Sequence, residues 1–176
     1  SNDFAGLGGD TRFLRTDVNF GYYIPLTDRW VLGLSTTAGY IHGIGQDVRL
    51  NNRYFLGGST LRGFEDGGVT ARAKVGDDAL GGNWQVTASA QLMFPLGLPS
   101  EFGMKGKLFT DFGLIGKPDG YDASTMWYSS KLRASIGVGL LWSSPLGPIN
   151  IDFAIPVLKE DFDKTEYFRL HFDTGF

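Results

Sequence analysis

Apolar and polar residues alternate strictly along seven stretches of this 176-residue chain. In the first, Leu14, Thr16, Val18, Phe20, Tyr22 and Ile24 interleave with Arg15, Asp17, Asn19, Gly21 and Tyr23. The others run over 30–40, 83–94, 104–114, 131–142, 149–157 and 168–176. The cleanest sets Trp84, Val86, Ala88, Ala90, Leu92 and Phe94 against Asn83, Gln85, Thr87, Ser89 and Gln91. A period of two sends successive side chains to opposite faces, so each stretch predicts a β-strand. The runs hold roughly ten residues, the length a tilted strand needs to cross a bilayer's hydrocarbon layer. Strands of soluble sandwiches are typically shorter, about five or six residues. The polar faces carry Arg15, Asp17, Asn19, Lys105, Lys107 and Asp111, which predicts a wet lumen.

The connections alternate in length. Short turns marked by Pro and Gly fall at 25–29, 95–101 and 143–148, and long links at 43–82, 116–130 and 158–165. Periplasmic turns and extracellular loops of outer-membrane barrels alternate in this way. The expected fold is therefore all-β, an antiparallel transmembrane β-barrel forming one domain over 1–176. Seven strands are complete, and 1–7 reads as the end of an eighth. Bacterial single-chain barrels have even strand counts, so the chain reads as cut from a larger barrel. No basic and apolar leader opens the sequence at Ser1, so an exported parent is expected to begin further upstream. The link 43–82 exceeds ordinary loop lengths, and loops that long are usually functional.

Composition changes this picture little. Glycine, at 26 residues, and aromatics, at 14%, are both plentiful. Barrels use glycine where strands bend and aromatics in interfacial girdles; Trp30, Tyr40, Trp84, Phe94, Trp142, Phe168 and Phe176 stand at run ends. Mean hydropathy is −0.09, because only alternate residues meet lipid. The net charge of −3, without a basic run, argues against a nucleic-acid partner. Absence of cysteine removes disulfides and thiolate metal sites.

Within the long link lies Tyr54-Phe55-Leu56-Gly57-Gly58-Ser59-Thr60-Leu61-Arg62-Gly63-Phe64-Glu65-Asp66. It resembles the signature loop of the BamA family of outer-membrane assembly factors, an aliphatic-Arg-Gly-aromatic core preceded by a Gly-Gly stretch. Phe109-Thr110-Asp111-Phe112-Gly113 resembles the family's F-x-D-x-G strand motif, and Ser143–Pro148 its SPLGP turn. The resemblance covers essentially the whole chain and implies the last seven strands of a sixteen-stranded barrel. It implies a non-enzymatic insertase without a cofactor or metal that folds unfolded β-barrel clients into the outer membrane. Assembly lipoproteins would bind through periplasmic domains outside this sequence, and the bilayer would surround the wall. A two-partner-secretion-type transporter of the same superfamily is the alternative, because its loop motif is similar.

The resemblance also implies that the loop tip Leu61, Arg62, Gly63 and Phe64 folds into the barrel. Alternation places Asp111 on the lumenal face of its strand, which makes a pair with Arg62 stereochemically reasonable. Two departures are visible. Val69-Thr70-Ala71-Arg72 replaces a common I-G-P-R, and Gln91 stands where some relatives carry an acid, which weakens one expected ion pair. Phe168, Leu170, Phe172 and Phe176 resemble the terminal β-signal read by the assembly machinery. His42 and His171 lack ligand spacing and read as rim or lumenal polar residues. Asp77, Asp78, Asp161 and Asp163 lack the EF-hand spacing and read as solvated loop charge. No GxSxG occurs, so an outer-membrane hydrolase is not favoured.

Overall fold

The computed structural model describes residues 2–5 and 12–172. In it the alternating runs become strands: β1 (Asn2–Ala5), β2 (Phe13–Pro25), β3 (Val31–Gly43), β4 (Ala71–Ala73), β5 (Ala79–Gly81), β6 (Trp84–Pro95), β7 (Met104–Ile115), β8 (Met126–Trp127), β9 (Arg133–Ser144), β10 (Gly147–Leu158) and β11 (Phe168–Phe172). Among the described residues, helix is confined to single 3-10 turns at Leu50–Asn52 and Ser100–Phe102. Eight strands form one antiparallel sheet in the order β1-β2-β3-β6-β7-β9-β10-β11. The expected partial eighth strand is β1. Of the terminal run, Phe176 lies outside the described residues.

Register explains how the faces stay pure. Tyr22, Leu34, Ala90, Thr110, Ile136 and Ile155 form one row across the sheet, each paired with the next. One residue away, Ser35, Ser89, Asp111 and Ser135 form the neighbouring row on the opposite face. The six long strands have 12 or 13 residues. At about 3.3 Å per residue and a tilt of about 45°, such a strand rises roughly 28–30 Å, the thickness of a hydrocarbon core.

Burial is inverted relative to a water-soluble protein. Val138, Phe153, Ile155 and Ile136 are 47–54% exposed, whereas Asp111, Asp152, Lys107 and Arg133 are at most 3% exposed. In water this would expose an apolar face across the whole sheet. Against lipid that face is the one that belongs outside. Trp30 and Phe94 stack at the short-turn end with ring centroids 5.4 Å apart, as a girdle requires.

The phase assignment yields a test. Spin labels replacing Leu34, Val86, Leu92, Ile136, Leu140 or Ile151 should be quenched by lipid-soluble reagents. Labels at Asp17, Gln85, Asp111 or Arg133 should be shielded from them. Lipid quenching of the second set would mean a one-residue slip in register, which inverts every side chain.

Three expectations need correction. The link 43–82 is not a plain loop: β4 and β5 lie in it, and with β8 from the next link they form a second sheet ordered β5-β4-β8. Lys107 is not bathed in water: its Nζ lies 2.7 Å from Asp152 and donates to Asn150 Oδ1 at 2.9 Å, and the Lys107 and Asp152 side chains are 4% and 2% exposed. Gly139 stands between them in the register, and a Cβ there would come within 2.5 Å of the Lys107 Cε. Asp163 is not solvated either. It pairs with Arg133 at 2.9 Å, both side chains at 0% exposure.

Arginines hold the outer cap together. Arg53 donates to the carbonyls of Val48, Leu80 and Asp119, joining the first two long links. Arg72 donates to Phe162, Asp77, Gly67 and Gly68 carbonyls, joining the first link to the last. Each guanidinium thus donates to three or four backbone carbonyls at once. At the rim Lys164 hydrogen-bonds Asp77 and holds its carboxyl below the usual carboxylate range.

Candidate functional site: a loop tip on the inner wall

The aliphatic flanks of the signature stretch drive it inward. Leu56, Leu61, Phe64 and Val69 bury themselves with Ile115 of β7 in a single cluster, all at 0% exposure. Within it the chain doubles back sharply: the Gly58 N–H donates to the Phe64 carbonyl at 2.8 Å. Gly63 has φ +94, which disfavours any other residue, and a Cβ there would press to 3.0 Å on the Ser135 Cβ. The tip therefore lies with its backbone flat on β9.

Arg62 is aimed by this fold at β6 and β7. Its Nε and Nη2 donate to the two Asp111 oxygens at 2.8 Å each. Its backbone N–H donates to the same carboxylate at 3.0 Å. Nη1 donates to Gln91 Oε1 at 2.7 Å and Nη2 to Ser89 Oγ at 3.1 Å. The guanidinium lies 3.5 Å above the centre of the Phe109 ring, adding a cation–π contact. With the Arg62 and Asp111 side chains 11% and 2% exposed, this is a sheltered, charge-assisted pair.

The F-x-D-x-G motif is the complement of the loop tip. Phe109 is the platform under the guanidinium, Asp111 is its counter-ion, and Gly113 leaves room for Leu61 and Leu56, whose methyls a Cβ would approach to 3.0–3.1 Å. All three share the inward phase of β7. Sequence reasoning missed Ser89, although it lies directly opposite Asp111 in the ladder. Gln91 does not leave a gap where an acid was expected, because its amide oxygen accepts from a guanidinium proton that Asp111 does not use.

A further contact upstream went unforeseen. Tyr54 donates to Asp17 of β2 at 2.7 Å, and burial, then this hydrogen bond, push its phenol above the ordinary range, so it remains a donor. The β-signal residues Phe168, Leu170 and Phe172 lie on β11, opposite Phe153, Ile151 and Ile149, with their side chains on the outer face. His42 is exposed near the rim, its ring 6.5 Å from that of Tyr40.

Comparison with known proteins places this geometry. Residues 1–176 match the Omp85 superfamily domain. The chain is 38% identical over 169 residues to the outer membrane protein assembly factor BamA of Neorickettsia risticii, covering 94% of this chain and 22% of that protein. It is 26% identical over 202 residues to BamA of Neisseria meningitidis, covering 99% of this chain and 25% of that protein. The crystal structure of BamA from Haemophilus ducreyi lacking POTRA domains 1–3 superposes with a TM-score of 0.76 at 27% identity, over 93% of this chain and 35% of that one. The chain thus spans about a quarter of the length of the relatives it matches. It belongs to the Omp85 superfamily.

Proposed function

We propose that this chain is the barrel wall of an outer-membrane insertase, which folds β-barrel clients into the membrane without enzymatic chemistry. The observation that carries the barrel-wall part of the reading is the sheltered lock of Arg62 on Asp111, which fixes a long link against the inner wall of an apolar-sided barrel. The assembly-factor names of the relatives support it. Strand β11 pairs with β10 on one side, and its other edge carries N–H and C=O groups able to template an incoming strand. Client burial and new ladder hydrogen bonds supply the free energy, so nucleotide and metal are not required. Unfolded barrel proteins are the clients, assembly lipoproteins dock on periplasmic domains of the full-length protein, and the outer membrane is the site of action.

The test uses the full-length protein in lipid vesicles with a urea-unfolded barrel client, whose folding is read by heat-modifiable migration. Arg62→Ala should slow client folding about tenfold, equivalent to roughly 1.4 kcal/mol, and Arg49→Ala on the outer link should not. A chelator or nucleotide depletion should change nothing. Unimpaired client folding by the Arg62 variant would overturn the proposal. Passage of a soluble polypeptide without client folding would favour a secretion transporter.

A further inference from the structure

The long link meets the sheet at a third point beyond Tyr54 and Arg62. Asp66 accepts from Arg169 Nη2 at 3.0 and 3.3 Å, and Arg169 belongs to β11. Arg169 Nη1 also donates to Glu166 at 3.1 Å. Beside this pair the backbones form a short ladder: Glu166 N–H to the Gly63 carbonyl, Glu65 N–H to that of Lys164, and Lys164 N–H to that of Gly68, each at 3.1 Å.

Two features show that this contact is built. Asp152 is the direct cross-strand neighbour of Arg169, yet its carboxylate is taken by Lys107 at 2.7 Å. Arg169 donates instead to Asp66 of the long link and to Glu166, outside the sheet. Gly58, with φ +61, supplies the space: a Cβ there would overlap the Asp66 carboxylate and approach Arg169 Nη1 to 3.1 Å. The second glycine of the Gly-Gly stretch thus makes room for the pair.

We infer that Asp66 is a positioning residue that latches β11 to the long link through Arg169, so the link's state sets how readily the β11 edge is released. The last clause rests on the proposed insertase reading; the latch itself does not.

Hydrogen exchange of amides 168–172, in the full-length protein in lipid nanodiscs, tests it. Asp66→Asn should speed exchange there about two- to fivefold, the range of a solvent-facing ion pair, and leave amides 136–142 of β9 unchanged. Asp66→Glu should stay near wild type, and Gly58→Ala should behave like Asp66→Asn. Unchanged exchange at 168–172 in Asp66→Asn, or equal acceleration throughout β9, would overturn the latch. Faster exchange with client folding intact would support the latch and sink the coupling to insertion. Unchanged exchange in Asp66→Asn together with impaired folding in Arg62→Ala would sink the latch and its coupling and leave the insertase reading standing.

Discussion

Replacing Arg62 by alanine should destabilise the folded barrel by about 3–5 kcal/mol, the cost of leaving one member of a buried ion pair uncompensated. Shelter from water sets this magnitude. In a water-filled lumen the same loss would be nearer 0–1 kcal/mol, but the two side chains are 11% and 2% exposed. Asp111 would keep the Ser89 hydroxyl at 2.6 Å and the backbone N–H of residue 62, which moves the expectation toward the lower end. Arg62→Lys retains charge but not the fork that reaches Asp111, Ser89 and Gln91 together, and should cost roughly 1–2 kcal/mol. Denaturant unfolding of the full-length protein in vesicles, run as a cycle with Asp111→Ala, should give a coupling of about 2–3 kcal/mol. A coupling indistinguishable from zero would reduce Arg62 to a loop charge.

Periodicity made the strands legible because the two faces of this sheet meet different solvents. Val18, Ser35, Ala88, Thr110, Val138, Ile151 and Phe172, the centres the dyads indicate, all fall within the sheet strands. Phase also put Asp111 on the inner face. It could not say what lies over that face, and for this reason Lys107 read as hydrated when it is covered and paired with Asp152. The cap was illegible for a different cause. Arg53 and Arg72 bind mainly backbone carbonyls, which every residue possesses, so partner identity leaves no trace in the sequence. Arg72 reaches a carbonyl 90 positions away. The short strands β4, β5 and β8 have two or three residues each, too few to display a period. Gln91 shows how a motif departs without losing the contact: a guanidinium offers five N–H groups, and a neutral acceptor serves those a single carboxylate does not reach.

Asp163, a loop charge by its sequence, is sheltered even more completely. Its side chain and that of Arg133 are both at 0% exposure, with Nε and Nη2 donating to the two carboxylate oxygens at 2.9 and 3.1 Å. Arg133 Nη1 also donates to the carbonyls of Ser129 at 2.6 Å and Lys131 at 2.9 Å, while Asp163 accepts from the Glu160 N–H at 2.8 Å. One pair therefore ties the end of the second long link to the last one, above the mouth of β9. Arg133→Met should cost about 3–5 kcal/mol, since it strands a buried carboxylate and removes the donor of two carbonyls. Asp163→Leu alone should cost a similar amount, by stranding the guanidinium. The double replacement should recover part of the loss, because an apolar pair of similar volume needs no counter-charge. Full recovery is not expected, since the carbonyls of Ser129 and Lys131 still lack their donor. Protease cleavage within 159–167 on the full-length protein in vesicles, alongside denaturant unfolding, separates local opening from global loss. Single variants as stable and protease-resistant as wild type would show that the cap does not depend on this pair.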